Sequence, residues 1–189
     1  MHNKTSSFFI KIMLALFISL SLHANIKQDM FTLYQNERYD EVCRAGFNSF
    51  KKLQKDEEFV SIYAFSCLYA DYIDRLSIPI AILKHSKEAR ANSSYLSVIL
   101  MQKKLLYHAL IDGYDLSAFN LPTTNYVLSK VFDLYASLGK HEPRNFYLFE
   151  DKKDKKIMYK LYIKKDKKLR KIVIEEFYDS ISIKQHIYW

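Results

Sequence analysis

Three glycines and three prolines in 189 residues leave this chain little material for tight turns. That scarcity argues against a multi-turn β-sandwich and against phosphate-cradling loops, which need several glycines close together. Long helices joined by polar turns fit better. Metal and nucleophile signatures are also missing. Beyond a leader containing His2 and His23, the histidines are His85, His108, His141 and His186, and no two stand at metal-ligand spacing. There is no His-Glu-x-x-His pattern, paired-cysteine motif or Gly-x-Ser-x-Gly elbow. The neighbouring carboxylates Asp71 with Asp74 and Glu175 with Glu176 read as solvated or capping groups. No catalytic residue, metal ligand or cofactor is therefore expected, although distant groups can converge in a fold. Long apolar runs are lacking too. Neither Ile12 to Leu22 nor Glu58 to Ala70 reaches the roughly 20 residues of a membrane span.

What the chain does have is apolar and aromatic surface. Hydrophobic residues make up 49% and aromatics 15%, ample to offset the entropy of ordering the backbone. The formal charge is +8, with acidic residues interspersed among the basic ones nearly everywhere. That pattern serves solubility first and an anionic partner second.

Met1 to Ala24 has the layout of a secretory signal peptide: Lys4 and Lys11 near the start, an apolar run, then Leu22-His23-Ala24 before the cut. A retained anchor is the alternative, and no cysteine near the cut suggests a lipoprotein. Export, most simply to a bacterial periplasm, is the expectation. An oxidising compartment would let Cys43 and Cys67 pair. Each lies twelve residues from Lys55, so two helices turning there would bring them to the same height, roughly 18 Å from the turn. Two buried free thiols are the alternative.

Helical periodicity runs through the chain from Ile26 to Leu138. Ile26 to Asn36 predicts a first helix; Tyr39, Val42, Cys43, Gly46, Phe47 and Phe50 form the stripe of a second. Glu58 to Ala70 is apolar or aromatic on every side and predicts a fully buried third helix ending near Tyr72. Pro79 opens a fourth, with Ile80, Ile82, Leu83 and Ala89 on its stripe, ended by Asn92-Ser93-Ser94. Tyr95 to Ile111 and Asn125 to Leu138 predict the fifth and sixth, stopped by Asp112-Gly113 and Gly139.

At Leu33-Tyr34-Gln35-Asn36-Glu37-Arg38-Tyr39-Asp40-Glu41-Val42 a Tyr opens the second helix of a pair after a short polar turn, and Ile78 to Leu83 takes the equivalent place 39 residues on. This resembles the tetratricopeptide-type helical repeat; a plain helical bundle with similar packing is the alternative. The resemblance implies binding of another protein in a groove and no chemistry. Tyr63, Tyr69, Tyr72, Tyr95 and Tyr107 are the candidate contact residues, since Tyr is favoured at interfaces, although aromatics at this spacing more often fill cores.

After Gly139 the period becomes two. Asn145 to Phe149, Ile157 to Lys164, Leu169 to Phe177 and Ile181 to Tyr188 predict an antiparallel meander. Lys152, Lys153, Lys155, Lys156, Lys164, Lys165, Lys167, Lys168, Arg170 and Lys171 gather at its loops. They read either as solubilising edge residues or as an anion-binding surface. The expected class is α+β and mainly α: a signal peptide over 1–24, tetratricopeptide-like helix pairs over 25–140, and a β-meander over 144–189. The expected work is that of a non-enzymatic scaffold binding other proteins of a bacterial envelope assembly, a disk around a flagellar motor being one setting by analogy of architecture. The rival is a periplasmic binder of anionic ligands or lipid headgroups, touching the membrane surface. Nucleic acid is not an expected partner.

Overall fold

A computed structural model describes residues 26–189, so the expected leader lies outside the described residues. Helix α1 covers 26–35, and α2 (Tyr39–Leu53) and α3 (Glu57–Tyr69) follow after short turns. A 3₁₀ turn (Ile73–Leu76) leads into α4 (Ser77–Ile82), then α5 (Lys87–Asp112) and α6 (Val127–Ala136). Strands β1 (Phe146–Glu150), β2 (Ile157–Asp166), β3 (Leu169–Tyr178) and β4 (Ile181–Tyr188) form one antiparallel sheet in the order β1-β2-β3-β4. The class is α+β, mainly α, with a C-terminal β-meander.

Asp56 starts α3 by accepting the backbone N–H groups of Glu58 and Phe59. The segment buries Phe59, Val60, Tyr63, Ala64, Ser66, Cys67 and Leu68, while Ser61, Ile62, Phe65 and Tyr69 share a strip that stays partly exposed. Its apolarity therefore reports neighbours over most of its circumference, and the expectation of a fully buried helix fails along that one strip. On one flank α2 packs antiparallel: Cys43 meets Cys67, Gly46 meets Tyr63 and Phe50 meets Tyr63 in sequence-reversed order. Cys43 and Cys67 form the disulfide, with Cα atoms 4.8 Å apart. Gly46 permits that approach, because a Cβ there would lie 2.9 Å from Cγ of Tyr63 and closer still to Cδ2.

On the other flanks α1 and α5 run parallel to α3. Lys27 of α1 pairs with Glu58 of α3, and Tyr34 meets Tyr69; Ser61 of α3 bonds Asn92 of α5, and Phe65 meets Tyr95. The α3-to-α5 offset is 30–31 residues, while the starts of α2 and α4, Tyr39 and Ser77, lie close to the 39-residue spacing expected between them; the offsets differ because α4 is only a stub. The break between the fourth and fifth helices also moves upstream, from Asn92-Ser93-Ser94 to Leu83–Ser86. Glu57 causes the shift by accepting the backbone N–H groups of Lys84, His85 and Ser86, after which the Ser86 hydroxyl caps α5 at Ala89. Ser93 donates to Ile80 O, and Ser94 and Ser97 to carbonyls one turn back, so these serines do not break the helix. The third helix stops at Tyr69, short of Tyr72. Asp71 turns left-handed at φ 65°, with Tyr72 N–H bonded to Cys67 O and Asp71 N–H to Leu68 O, a Schellman ending in which Asp replaces the usual Gly.

Tyr147, Phe149, Tyr159, Leu161, Ile172 and Ile174 point from the sheet into one buried cluster shared with the helices. In β4 Ile181 and Ile183 are exposed, while His186 and Tyr188, paired with Ile174 and Ile172, take the inward positions. His186 closes the helix–sheet junction. Its Nδ1 lies 2.8 Å from Asp71 Oδ1 and its Nε2 2.9 Å from Glu176 Oε1. An imidazolium, which donates from both ring nitrogens, is the form that this pair of acceptors favours. Burial alone would lower the His186 pKa, but the two carboxylates outweigh it and the net direction is up. The Tyr126 hydroxyl donates to Asp71 at 2.8 Å and Tyr188 lies 3.2 Å from it, tying α6 into the same junction.

Candidate functional site

Because α1, α3 and α5 are parallel and adjacent, residues at i+3 and i+4 spacing on each helix line up across all three. One end of this shared face is a groove of about 910 Å³, lined by Phe31, Glu58, Ser61, Ile62, Glu88 and Asn92 on the three helices and by Lys55, Asp56, Glu57 and His85 at their ends, so that one lysine stands among its four carboxylates. Phe31 stands 44% exposed at its wall. Its carboxylates differ in availability. The backbone N–H groups of His85, Ser86 and Lys84 hold the Glu57 carboxyl down to about 2, so it serves the turn. Asp56 is committed to its cap and to Lys27, 2.8 Å away. Glu58 shares Lys27 but keeps its side chain 82% exposed, and Glu88 is exposed on the next helix.

One or two turns further along each helix the face turns aromatic. Tyr34 follows Phe31, Phe65 and Tyr69 follow Ile62, and Tyr95 follows Asn92. The rings form a continuous ladder: Tyr34 to Tyr69 at 6.5 Å, Tyr69 to Phe65 at 6.2 Å and Phe65 to Tyr95 at 5.9 Å. Tyr39, from the start of α2, joins at 4.9 Å from Tyr69. Beyond it the Tyr95 hydroxyl donates to Asn125 Oδ1 at 2.7 Å. Burial, with Tyr69 and Tyr39 alongside, pushes the Tyr34 hydroxyl up to about 12, so it stays a neutral donor. The surface is thus carboxylate-rich and grooved at one end, flat and aromatic with hydroxyl rims at the other.

Of the five tyrosines expected at an interface, the fold brings Tyr69 and Tyr95 together here. Tyr63 is 4% exposed and packs against α2; it is core. Tyr72 sits in the turn after α3 with the Arg75 guanidinium 4.8 Å from its ring centroid, and Tyr107 donates to the Arg170 carbonyl under the sheet. Phe31, Tyr34, Tyr39 and Phe65 belong to the face although nothing local in the sequence marks them for it. What locates them is the parallel stacking of the helices, with contacts 31 and 35 residues apart from α1 to α3 and 30–31 apart from α3 to α5.

The ten cations at the sheet loops do not form one patch. Lys152, Lys153, Lys155 and Lys156 lie in the β1–β2 loop, whereas Lys164, Lys165, Lys167, Lys168, Arg170 and Lys171 flank the β2–β3 hairpin at the other end of β2. Seven residues of strand lie between Lys156 and Lys164, so the groups stand roughly 26 Å apart at about 3.3 Å per residue. Several are neutralised: Lys152 pairs with Asp133, Lys156 with Asp179 and Lys171 with Asp166. Among the described residues no cluster of three or more His, Cys, Asp or Glu could hold a metal ion, and no helix is long and apolar enough to cross a membrane. Compared with known family models, curated proteins and solved structures, the chain matches none.

Proposed function

We propose that this chain is an exported, non-enzymatic interaction module that binds a segment of another envelope protein along the shared face of α1, α3 and α5. The observation that carries the reading is the continuity of that face, where three parallel helices turn one groove and one aromatic ladder in the same direction. Stacked helix pairs present extended surfaces of this kind, which supports the resemblance to tetratricopeptide-type repeats. The occupant that fits is an extended or helical segment with Lys or Arg opposite Glu58 and Glu88 and with proline or aromatic residues opposite Tyr34, Phe65, Tyr69 and Tyr95. Rigid aromatic faces dock apolar segments at little entropic cost, and surface carboxylates select the cationic end. The buried disulfide suits an oxidising compartment such as a periplasm.

A photo-crosslinking residue placed at Phe31 or Tyr69 in living cells tests the proposal. One discrete adduct should form at both sites, and none at Phe47 on α2. The purified partner segment should then bind wild type and lose at least about tenfold in affinity on Phe65→Ala, the cost of one aromatic anchor. Adducts equally abundant at Phe47, or binding indifferent to Phe65, would refute it.

A further inference from the structure

A second cavity lies on a different part of the molecule, between the C-terminal ends of α5 and α6 and the β2–β3 hairpin. It encloses about 300 Å³. Lys140, His141 and Arg144 approach it from the segment after α6, and Lys165 and Arg170, directly paired across β2 and β3, approach it from the sheet. Asp115 is the one acidic residue on its lining, and its carboxylate already accepts the backbone N–H of Ser117. None of the four Lys and Arg side chains has a carboxylate within salt-bridge distance among the described residues. Elsewhere on this sheet lysines are paired with aspartates, as Lys152, Lys156 and Lys171 are. Four like charges gathered round one cavity with Asp115 as the one counter-charge on its lining repel each other, a cost that an anion in the cavity would reduce.

The floor is ordered. His141 Nδ1 lies 2.7 Å from Gly139 O; a carbonyl only accepts, so Nδ1 carries the hydrogen. In the neutral ring Nε2 then accepts from the Tyr147 hydroxyl, 3.2 Å away, while that same oxygen accepts the Arg144 backbone N–H at 3.2 Å. Tyr135 stands edge-on to both Tyr147 and His141, at 5.0 and 5.2 Å. The loop that carries Arg144 is therefore held by side chains, and two guanidiniums from separate segments face one space.

We propose that this cavity is a binding site for a phosphate dianion, free or as the monoester of a small molecule, held by Arg144 and Arg170 and assisted by Lys140 and Lys165. Guanidinium forks match phosphate oxygens two at a time, and four cations round one cavity suit a dianion better than a monocarboxylate. The volume exceeds that of phosphate alone, and the hydroxyl-bearing rings of Tyr114, Tyr135 and Tyr162 leave a polar wall for the body of an ester. The same phosphomonoester occurs as the headgroup of phosphatidic acid, and the test separates the two sources.

Calorimetric titration with inorganic phosphate and with glycerol 3-phosphate, alongside flotation with vesicles containing phosphatidic acid, is run on wild type, on Arg144→Gln with Arg170→Gln, and on Lys153→Gln with Lys155→Gln at the far end of the sheet. The expected result is saturable binding by wild type and the lysine variant, weakened about 100-fold in the arginine variant as two charge-assisted contacts are lost. Circular dichroism melts confirm that each variant is folded. Binding of the soluble anions assigns a free ligand; arginine-dependent flotation without it assigns a headgroup and still supports the site. Binding lost equally in both variants, or absent for every probe, overturns the proposal.

Discussion

Breaking the Cys43–Cys67 bond is the perturbation whose size the structure fixes best. The bond closes a loop of 24 residues. Loop-closure entropy for that length is worth about 3.4 kcal/mol at 25 °C. Both half-cystines are fully buried between α2 and α3. As reduced thiols they would still fill their sites, since Cys is a small hydrophobe that tolerates burial, so the cross-link itself is what reduction removes. Unfolding 164 residues carries an entropy of about 340 cal/mol/K, and 3.4 kcal/mol then corresponds to a fall in Tm of about 10 °C. The assay is thermal unfolding by circular dichroism, comparing oxidised protein with protein unfolded, reduced and refolded in excess phosphine. Because α2 also sets Tyr39 against Tyr69, near-ultraviolet ellipticity from the aromatic ladder should weaken before the main transition in the reduced form. A Tm change below about 3 °C would refute the reasoning, since it would mean that packing alone holds α2 on α3.

Gly46→Ala, which would drive a Cβ into the Tyr63 ring, should lower stability by about 1–2 kcal/mol in chemical denaturation despite the better helix propensity of Ala. His186, whose folded pKa is raised, should contribute stability that is full below about pH 6.5 and is lost as pH rises through its folded value. Denaturation midpoints from pH 6 to pH 9 should show that fall in wild type, and it should flatten in His186→Gln, which leaves Asp71 and Glu176 facing each other and costs about 2–3 kcal/mol at pH 6. Lys103, 3% exposed with its ammonium 2.7 Å from Asp74, should be worth more than its neighbour Lys104 on the same carboxylate. Lys103→Ala should cost about 2 kcal/mol or more, and Lys104→Ala under about 1 kcal/mol, in the same denaturation assay.

Much of the fold is legible in the sequence because its signals are local. The period of two in Ile157, Tyr159, Leu161 and Ile163 places β2, and the charged turn from Lys51 to Glu58 places the α2–α3 hairpin and with it the disulfide. What stays hidden depends on partners distant in sequence. Nothing near Asn92 says that its amide will reach Ser61, or that Glu57 will gather three N–H groups 27–29 residues away; those bonds move the helix break upstream. In β4 the isoleucines look like the core face, but pairing with Ile172 and Ile174 gives that place to Tyr188 and His186. Tyr69 and Tyr95 are legible as candidates, but the groove is not: Phe31, Glu58 and Glu88 sit on three helices, and only the parallel stacking of α1, α3 and α5 puts them side by side.

Selection from a random peptide display library against the folded protein tests that stacked face most directly. The account predicts enrichment of sequences joining Lys or Arg to proline or aromatic residues, with binding reduced at least about tenfold by Tyr69→Ala or by Glu58→Lys with Glu88→Lys, and unchanged by Phe47→Ala. Enriched peptides that bind the Tyr69 and Glu58/Glu88 variants as well as wild type would contradict it.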